Sequence, residues 1–535
     1  MTVARNVAEA LSEHVTLEVE CVDRLYLNLY QPLLQTPGGA AHFFRNIRGN
    51  PVPSPALMAP ITRDFVAAIE AFANEHGIDL IRFDKGERKD DRTQTYLQQW
   101  RGGEGVLYIG KAQEKARVLR TQAQLDPATG RRSPELAFST ALPNAYYFYA
   151  VDADFGPFFL KFCSYFPYNA KLCLNGHEYV KRQLEKEGIA FEALDNGILS
   201  CADPQRLQQL CRQVTPARIN ALARKWLARL PHPFSAQDRL AGLRYQVSVL
   251  QAECSLTQVF DRPLQGRQFF EQVIRENLDL GRPDQVQLVF ERRVSKRTPS
   301  RFRTRVITAG VDPSLHFDYK KTRIKQYFKE GRALRTETTI NDSYDFGVGR
   351  RLDNLEDLKK IGFQANRRLL RVERLSHDCT VGAERFEQLH GAAEIEGRRA
   401  PALRFGDRRV QALVGSLAAF RLLPRGFTQR QLRERVAPLL GHSVEEWSPG
   451  RMTYDLRRLR LRGLIERIPH SRRYRVTDEG IRFALCFHRT YARVLRPSLS
   501  VLFDDAVGDP TPLQKAVQRF DREVDCLWQG KAIAA

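Results

Sequence analysis

The most regular hydrophobic pattern of the chain lies in its last quarter. Between residues 407 and 421, apolar side chains recur every three to four positions, which predicts a helix. Thr428 is placed to cap a second helix over residues 429–440, and Ser448 followed by Pro449 predicts a third over residues 449–462. Residues 464–468 and 474–477 alternate like short strands, and Asp478 opens a last apolar helix. The pattern therefore predicts three helices, a basic hairpin and a fourth helix within residues 401–496.

This order of elements resembles the winged helix-turn-helix of DNA-binding proteins. The stretch YDLRRLRLRGLIERIPHSRRYRVTDEGIRFA, residues 454–484, is similar to the recognition helix, wing and following helix of bacterial regulators and replication initiators. The resemblance implies that the third helix enters a DNA major groove and that the wing lies on the backbone. Some winged helices bind only protein, which is the alternative. The residues that the resemblance assigns to DNA are Arg451, Tyr454, Arg457, Arg458, Arg462, Arg472 and Arg473.

The distribution of charge favours a polyanionic partner. The chain of 535 residues has a formal net charge of +22. Residues 401–496 contain 21 arginines, no lysine and 8 acidic residues, so this segment alone has an excess of 13 positive charges. Arginine makes bidentate contacts to phosphate and guanine, which favours duplex DNA. An anionic membrane is the alternative, but the sequence has neither a long basic amphipathic helix with aromatic anchors nor an apolar stretch of about 20 residues.

For the whole chain the patterns predict an α+β multidomain protein. We expect an N-terminal α/β domain over residues 1–135 and a second α/β domain with aromatic strands over 136–270. A basic antiparallel sheet plus a helix follows over 271–395, then the winged helix over 401–496 and a C-terminal tail over 497–535. Strands are predicted over residues 15–29, 78–83, 105–110, 146–151 and 158–162, and helices over residues 61–76, 176–187, 204–214, 215–230, 235–260 and 355–372. Residues 31–60 are predicted as a long loop, and residues 125–134 as a turn-rich connector.

The basic sheet is predicted from residues 285–340, which alternate as about four antiparallel strands over residues 286–294, 301–308, 315–328 and 333–340. We expect Arg303, Arg305 and Lys325 to contact phosphates, with neighbouring aromatic side chains available to stack on bases. A single strand of DNA or of RNA suits this surface, and the pattern does not choose between them. A solvated sheet face is the alternative.

Two neighbouring carboxylates are the first candidates for chemistry. Asp152 and Asp154 follow an aromatic strand, and such a pair can hold Mg²⁺ or Mn²⁺ in a metal-dependent nuclease. A third ligand is needed, and Glu337 and Asp23 are the residues to test. The alternative is that the pair ends the strand and caps a turn.

A tyrosine nucleophile is the second candidate. Tyr319-Lys320-Lys321, followed by the strand containing Arg335 and Glu337, distantly resembles the tail of the catalytic domain in rolling-circle replication initiators. The resemblance implies that Tyr319 attacks a DNA phosphate. The His-x-His metal motif of that family is not in this sequence, and a packing role is the alternative for Tyr319.

Other motifs limit the function. The sequence has no G-x-x-x-x-G-K-[ST], which argues against a nucleotide triphosphate-driven motor. The nine cysteines are scattered without a C-x-x-C, which is typical of reduced thiols in the cytoplasm, and no signal peptide is expected. The residues before the winged helix resemble bacterial proteins without an assigned role. We therefore expect a DNA-binding protein of bacterial mobile-element or replication type that docks on duplex DNA and holds or processes an adjacent strand. A transcriptional regulator or initiator without catalysis is the alternative.

Overall fold

A computed structural model gives the arrangement of most of the chain. It describes residues 13–50, 54–84, 86–125, 132–279, 303–307, 314–377, 383–395, 397–404, 406–420 and 426–491, with a few positions between 512 and 523. The described residues form a mixed α and β protein with one large central sheet. The fold class predicted from the sequence is confirmed at this level.

The strands and helices are numbered in chain order. The strands are β1 (Val15–Tyr30), β2 (Leu80–Arg82), β3 (Gly105–Gln113), β4 (Ala116–Leu125), β5 (Arg132–Ala141), β6 (Asn144–Asp152), β7 (Gly156–Cys163), β8 (Ala170–Asn175), β9 (Phe191–Leu194), β10 (Gly197–Cys201), β11 (Gln246–Phe260), β12 (Arg303–Ile307), β13 (Ser314–Tyr319), β14 (Thr322–Lys329), β15 (Ala333–Ile340), β16 (Ala393–Ile395), β17 (Arg398–Ala400), β18 (Phe427–Thr428), β19 (Ile465–Arg467) and β20 (Arg473–Val476). The helices are α1 (Pro37–His42), α2 (Pro55–Glu75), α3 (Lys89–Gln99), α4 (Gly176–Lys186), α5 (Pro204–Arg212), α6 (Pro216–Arg229), α7 (Ala236–Leu240), α8 (Pro263–Asp279), α9 (Leu355–His377), α10 (Ala383–His390), α11 (Arg408–Phe420), α12 (Gln429–Leu439), α13 (Pro449–Leu461) and α14 (Asp478–Thr490).

The chain divides into two compact units. The N-terminal unit contains residues 11–270 and 287–367, and the C-terminal unit contains residues 1–10, 271–286 and 368–535. The central sheet belongs to the N-terminal unit and has eleven strands in the order β12-β13-β14-β15-β11-β1-β8-β7-β6-β3-β2. Strands from the segments 1–135, 136–270 and 271–395, which the sequence analysis treats as three domains, therefore share one sheet.

Strand β1 lies near the middle of the sheet and shows why it has two different faces. Beyond its midpoint Leu25, Leu27 and Leu29 are fully buried, whereas the alternating Tyr26 and Asn28 are half-buried. Successive side chains of a strand point to opposite faces. The leucines belong to the main apolar core together with residues of β7, β8 and α2. The other face, called the polar face below, carries Asn28 and Lys171 beside a smaller cluster of buried aromatic residues. The polar face is where charged side chains meet.

Several sequence-based predictions about the N-terminal unit are confirmed. Asn175 caps α4 by accepting a hydrogen bond from the His177 N–H, and Thr215 caps α6 by accepting one from Arg218. The aromatic strands appear as β6 and β7, and the strands predicted over residues 301–308 and 333–340 appear as β12 and β15. These elements have strong local signals, either a capping side chain or strict alternation. The segment predicted as one strand over residues 315–328 instead forms two antiparallel strands, β13 and β14, joined by a turn at residues 320–321, and the strand predicted over 286–294 lies outside the described residues.

The structure also corrects two further predictions about the N-terminal unit. Residues 235–260 form the short helix α7 and then the 15-residue strand β11 rather than one helix. The predicted loop 31–60 contains α1, a 3-10 turn over Pro32–Gln35 and the start of α2 at Pro55. On either side of the predicted connector 125–134, β4 and β5 pair as antiparallel strands, and residues 126–131 lie outside the described part. Strand β11 pairs with β1 on one side and with β15 on the other, and this tertiary pairing outweighs the helical pattern of the same residues.

The C-terminal unit follows the predicted order of elements between residues 408 and 490. Helix α11 is followed by β18, α12, α13, the hairpin β19–β20 and α14, and the three strands form a small sheet in the order β18-β20-β19. Thr428 caps α12 in a reciprocal capping box with Gln431, and Ser448 accepts a hydrogen bond from the Arg451 N–H at the start of α13. These boundaries and caps are confirmed.

Candidate functional site

Three strands bring three carboxylates together on the polar face of the central sheet. Asp23 lies on β1, Glu253 on β11 and Glu337 on β15, and their ligand oxygens all lie within 4.8 Å of one another. The pairing of β1 with β11 shifts between Val22 and Leu25, so that two residues of β1 stand opposite Glu253. Such a bulge redirects a side chain. The register of β1 therefore brings Asp23 to the two glutamates.

A buried arginine joins two of these carboxylates. The Arg335 guanidinium is inaccessible to solvent and donates from Nη2 to Asp23 Oδ2 at 2.6 Å and from Nε to Glu337 Oε1 at 2.7 Å. Its Nη1 donates to the Asn196 carbonyl at 2.6 Å and to Thr257 Oγ1 at 3.3 Å. A buried charge is tolerated when it is paired and its donors are satisfied. We call Asp23, Glu253, Glu337 and Arg335 the carboxylate–arginine cluster.

A histidine and a tyrosine complete the surroundings of the cluster. Tyr327 on β14 donates its hydroxyl hydrogen to Glu337 Oε1 at 2.9 Å. His177 Nε2 lies 3.0 Å from Arg335 Nη2 and 3.0 Å from Ser255 Oγ. Because a guanidinium can only donate, Nε2 accepts, and the proton of a neutral His177 lies on Nδ1. The Nδ1 atom is buried and has no hydrogen-bond partner among the described residues.

The cluster separates the acidities of two neighbouring carboxyl groups. Burial, reinforced by the negative charges of Asp23 and Glu337, raises the pKa of Glu253 to about 7. For Asp23, burial raises the pKa, but several opposing contributions, led by the positive charge of Arg335 and including the hydrogen bonds from Asn196 and Arg335, together lower the pKa to about 2. Burial first, and then the charge of Glu337, raises the pKa of Tyr327 above its ordinary value. At neutral pH the cluster therefore contains one carboxyl group that gains or loses a proton easily.

The chemistry open to this arrangement follows from its oxygen atoms. Three carboxylates are the ligands that Mg²⁺ and Mn²⁺ prefer. A cation bound there would compete with Arg335 for Asp23 and Glu337 and would displace the proton of Glu253. Without a cation, Glu253 is suited to general acid and base catalysis near neutral pH.

The structure places the predicted metal ligand Asp152 in a turn. Asp152 is buried at the end of β6 and accepts hydrogen bonds from Lys225 Nζ at 2.7 Å and Trp226 Nε1 at 2.8 Å. Its other oxygen accepts from the N–H groups of Asp154 and Phe155. All of these contacts stabilise the end of the strand, which is the alternative stated for this residue.

The second predicted metal ligand, Asp154, is exposed and forms an ion pair with Lys186. Among the described residues, neither Asp152 nor Asp154 joins Glu337 in a group with metal-ligand spacing. Asp23, considered as a further ligand, does lie beside Glu337. The structure therefore gathers two of the four carboxylates considered from the sequence and adds Glu253.

The residues predicted on the basic sheet are only partly described. The backbones of Arg303 and Arg305 lie on β12 and that of Tyr319 ends β13, but their side chains lie outside the described residues. Lys325 stands opposite Glu337 in the register of β14 and β15. Its ammonium group lies 3.9 Å from the centre of the Tyr327 ring. Lys325 therefore adjoins the carboxylate–arginine cluster.

The seven DNA-binding residues predicted in the C-terminal unit fall into two groups. The side chains of Arg451, Tyr454, Arg457 and Arg472 are exposed. Arg473 is half-buried and donates to the Gly426 carbonyl at 2.9 Å.

Arg458 and Arg462 have different surroundings, because both are buried. Arg462 Nη2 donates to the carbonyl oxygens of Ala400 at 2.8 Å and Pro401 at 3.0 Å, and Arg458 Nε donates to the Pro401 carbonyl at 3.4 Å. These two guanidinium groups are therefore used within the protein rather than displayed on its surface.

The sequence contains signals for some of the structural features that were not predicted from it. Met452, Leu459 and Arg462 lie at helical spacing on the buried side of α13, so the apolar stripe also marks its buried arginines. Glu253 was hidden by the predicted helix over residues 235–260, although its neighbours alternate like a strand. No local signal pairs His177 with Arg335, because they are 158 positions apart.

Comparison of the chain with models of protein families, with curated proteins and with solved structures gives no match. Within the described part of the chain, every helix is too short or too polar to cross a lipid bilayer.

Proposed function

We propose that the protein binds duplex DNA through a winged helix formed by residues 401–496, and that its central sheet holds or processes a strand of the same DNA. The observation that carries this proposal is a set of unpaired arginines on one helix and one hairpin. Arg457 and Arg460 are exposed on α13, and Arg472 is exposed at the tip of the β19–β20 hairpin. Among the described residues, no carboxylate forms an ion pair with these three guanidinium groups.

Other arginines of the same unit differ, because they have acidic partners. Arg475 pairs with Glu466, and Arg430 pairs with Glu434. Arg457, Arg460 and Arg472 therefore differ from these arginines, whose positive charges are each matched by a neighbouring negative charge. An uncompensated guanidinium is suited to bidentate contacts with phosphate or guanine, and counterions released from DNA make such contacts favourable.

A basic hairpin beside a helix with exposed arginines also supports the winged-helix interpretation. In that class of domain the third helix lies in the major groove and basic residues hold the phosphate backbone. Tyr454 is 47% exposed between Arg451 and Arg457 on α13, and it is therefore available to contact a base or a sugar. Arg458 and Arg462 do not belong to this proposed contact surface because they are buried.

The test of the DNA proposal is the affinity for duplex DNA of the variant Arg457→Ala/Arg460→Ala. At fixed salt we expect the dissociation constant to rise roughly tenfold or more. We also expect the logarithm of the binding constant to depend less steeply on the logarithm of the salt concentration, with a slope smaller in magnitude by about 2. The matched control is Arg63→Ala/Arg182→Ala, which removes two exposed positive charges from the N-terminal unit. Equal affinities for the test and control variants would refute the proposed surface.

Metal-dependent cleavage of a DNA strand is a second candidate function, and the approach of Asp23, Glu253 and Glu337 within 4.8 Å favours it. End-labelled single-stranded and duplex DNA are incubated with the full chain in Mn²⁺, in Mg²⁺ or in chelator. We expect metal-dependent cleavage that Glu253→Gln abolishes and that the exposed control Glu185→Gln retains. Binding without cleavage would favour a regulator or initiator without catalysis, and label retained on the protein would favour a tyrosine nucleophile such as Tyr319.

A further inference from the structure

A second polar site lies on the N-terminal unit, in a pocket at the start of β4. The pocket has a volume of about 230 Å³, and its lining includes Glu114, Lys115, Arg117, Lys161 and Lys171. At about 30 Å³ for each molecule of liquid water, this volume corresponds to about eight water molecules. It therefore has room for a small anion together with part of the group to which that anion is attached.

The charged side chains of the pocket are not balanced. Four cationic residues line it, and Glu114 is its one acidic lining residue. Glu114 already accepts from Lys161 Nζ at 2.7 Å, from Lys89 Nζ at 2.9 Å and from the Tyr147 hydroxyl. These donors outweigh the effect of burial and lower the pKa of Glu114 to about 2. The carboxylate is therefore ionised but shared by two lysines, which leaves the other cations without compensation.

Lys171, unlike Lys161, has no acidic partner among the described residues. Its ammonium group donates to Asn28 Oδ1 at 2.6 Å, and no carboxylate among the described residues lies within ion-pair distance of it. Burial, followed by the positive charge of Lys161, lowers the pKa of Lys171 to about 8. A desolvated cation beside a second cation is unfavourable unless an anion joins them. The site is thus prepared for a group with concentrated negative charge.

We propose that this pocket binds a phosphate monoester, either the terminal phosphate of a nucleic-acid strand or that of a free nucleotide. Lysine acts as a point charge for phosphate, and Lys115 and Arg117 lie at the exposed mouth of the same pocket. The half-buried ring of Tyr165 also lines the pocket and offers a surface for an attached sugar or base. Lys161 and Lys171 lie on β7 and β8 of the central sheet, so for a strand end the inference rests on the proposed function and specifies what that sheet would hold.

The test compares two single-stranded oligonucleotides of identical sequence, one with a 5′-phosphate and one with a 5′-hydroxyl. Titration of the full chain at constant ionic strength is expected to show roughly tenfold tighter binding of the phosphorylated strand. Lys171→Gln should reduce that preference to about one. The charge-matched control is Lys360→Gln, at a residue of α9 that is 72% exposed, and it should keep the preference.

A competition experiment identifies the source of the phosphate, and a second variant provides the test if Lys171→Gln does not fold. A nucleoside monophosphate that displaces the phosphorylated strand identifies the free nucleotide as the ligand, and failure to displace it identifies the strand end. If Lys171→Gln does not fold, Lys115→Ala/Arg117→Ala alters only exposed side chains and should weaken the preference. Equal binding of both strands by the wild type, without competition by the mononucleotide, would overturn the proposal. The duplex assay of Arg457 and Arg460 is independent of this result.

Discussion

Arginine has opposite surroundings in the two units of the protein. In the N-terminal unit, Arg335 is completely buried and its charge is matched by Asp23 and Glu337. In the C-terminal unit, Arg457 and Arg460 are exposed without an acidic partner among the described residues, only a few positions from the buried Arg462. The number of arginines in a segment therefore does not show how many are available to a polyanion.

The difference follows from desolvation. An arginine removed from water requires a counter-charge or several carbonyl oxygens, and it then contributes to the structure rather than to binding. An arginine that remains in water is available to bind an anionic partner, and the strength of that interaction depends on the salt concentration. The excess of 13 positive charges in residues 401–496 therefore does not measure how much positive charge this segment can offer to a polyanion.

The largest change in the free energy of unfolding is expected from replacing Arg335, the buried arginine of the central sheet. Arg335→Leu leaves Asp23 and Glu337 buried without their counter-charge, so the free energy of unfolding should fall by about 3–5 kcal/mol. Urea denaturation of the purified chain measures this change. The triple variant Asp23→Asn/Arg335→Leu/Glu337→Gln removes the unpaired charges and should recover much of the loss. A decrease below about 1 kcal/mol for Arg335→Leu would show that the charge pairing is not what stabilises this part of the sheet.

A pair of variants within one unit sharpens the comparison between buried and exposed arginines. Arg462→Ala leaves the carbonyl oxygens of residues 400 and 401 without their donor, so we expect a loss of roughly 2–4 kcal/mol in stability. Arg457→Ala should change stability by less than about 0.5 kcal/mol, because its side chain is exposed. Thermal unfolding of both variants provides the measurement. Similar losses for both positions would contradict the assignment of separate structural and binding arginines.

A smaller effect is expected from the titration of Glu253. Its pKa is about 7 in the folded protein, against an ordinary value of 4.5, so the folded state holds this proton more tightly than the unfolded state. The stability that this carboxyl contributes is therefore fully present below pH 4.5 and is lost as the pH rises through 7.

Glu253→Gln should remove this dependence on pH. Relative to the wild type, the variant should gain on the order of 2–3 kcal/mol of stability between pH 4.5 and pH 8. Urea denaturation at these two pH values measures the change, and the exposed Glu185→Gln serves as the control. If the free energies of unfolding of Glu253→Gln and the wild type differ by the same amount at both pH values, ionisation of Glu253 does not destabilise the folded protein.

Local signals predicted much of the architecture. The caps of Thr428, Ser448 and Asn175 and the alternation of β15 depend on neighbours within a few positions, and these predictions are confirmed. The turn that divides residues 315–328 into β13 and β14 was not predicted. Local patterns gave the wrong element for β11. Its pattern, which includes several consecutive apolar residues, is compatible with a helix as well as a strand, and pairing with β1 and β15 makes it a strand. That error also removed Glu253 from consideration.

The sequence by itself determined the mixed α and β class, the order of elements in residues 408–490 and the concentration of positive charge there, since each depends on local spacing or on composition. Only the tertiary structure decided that Asp23, Glu253, Glu337 and Arg335 meet, because their positions span 314 residues and meet only through strand register and a bulge. It also decided which arginines are buried, as burial depends on what packs against a helix. Charge is a property of the sequence, whereas the exposure and pairing of that charge are properties of the fold.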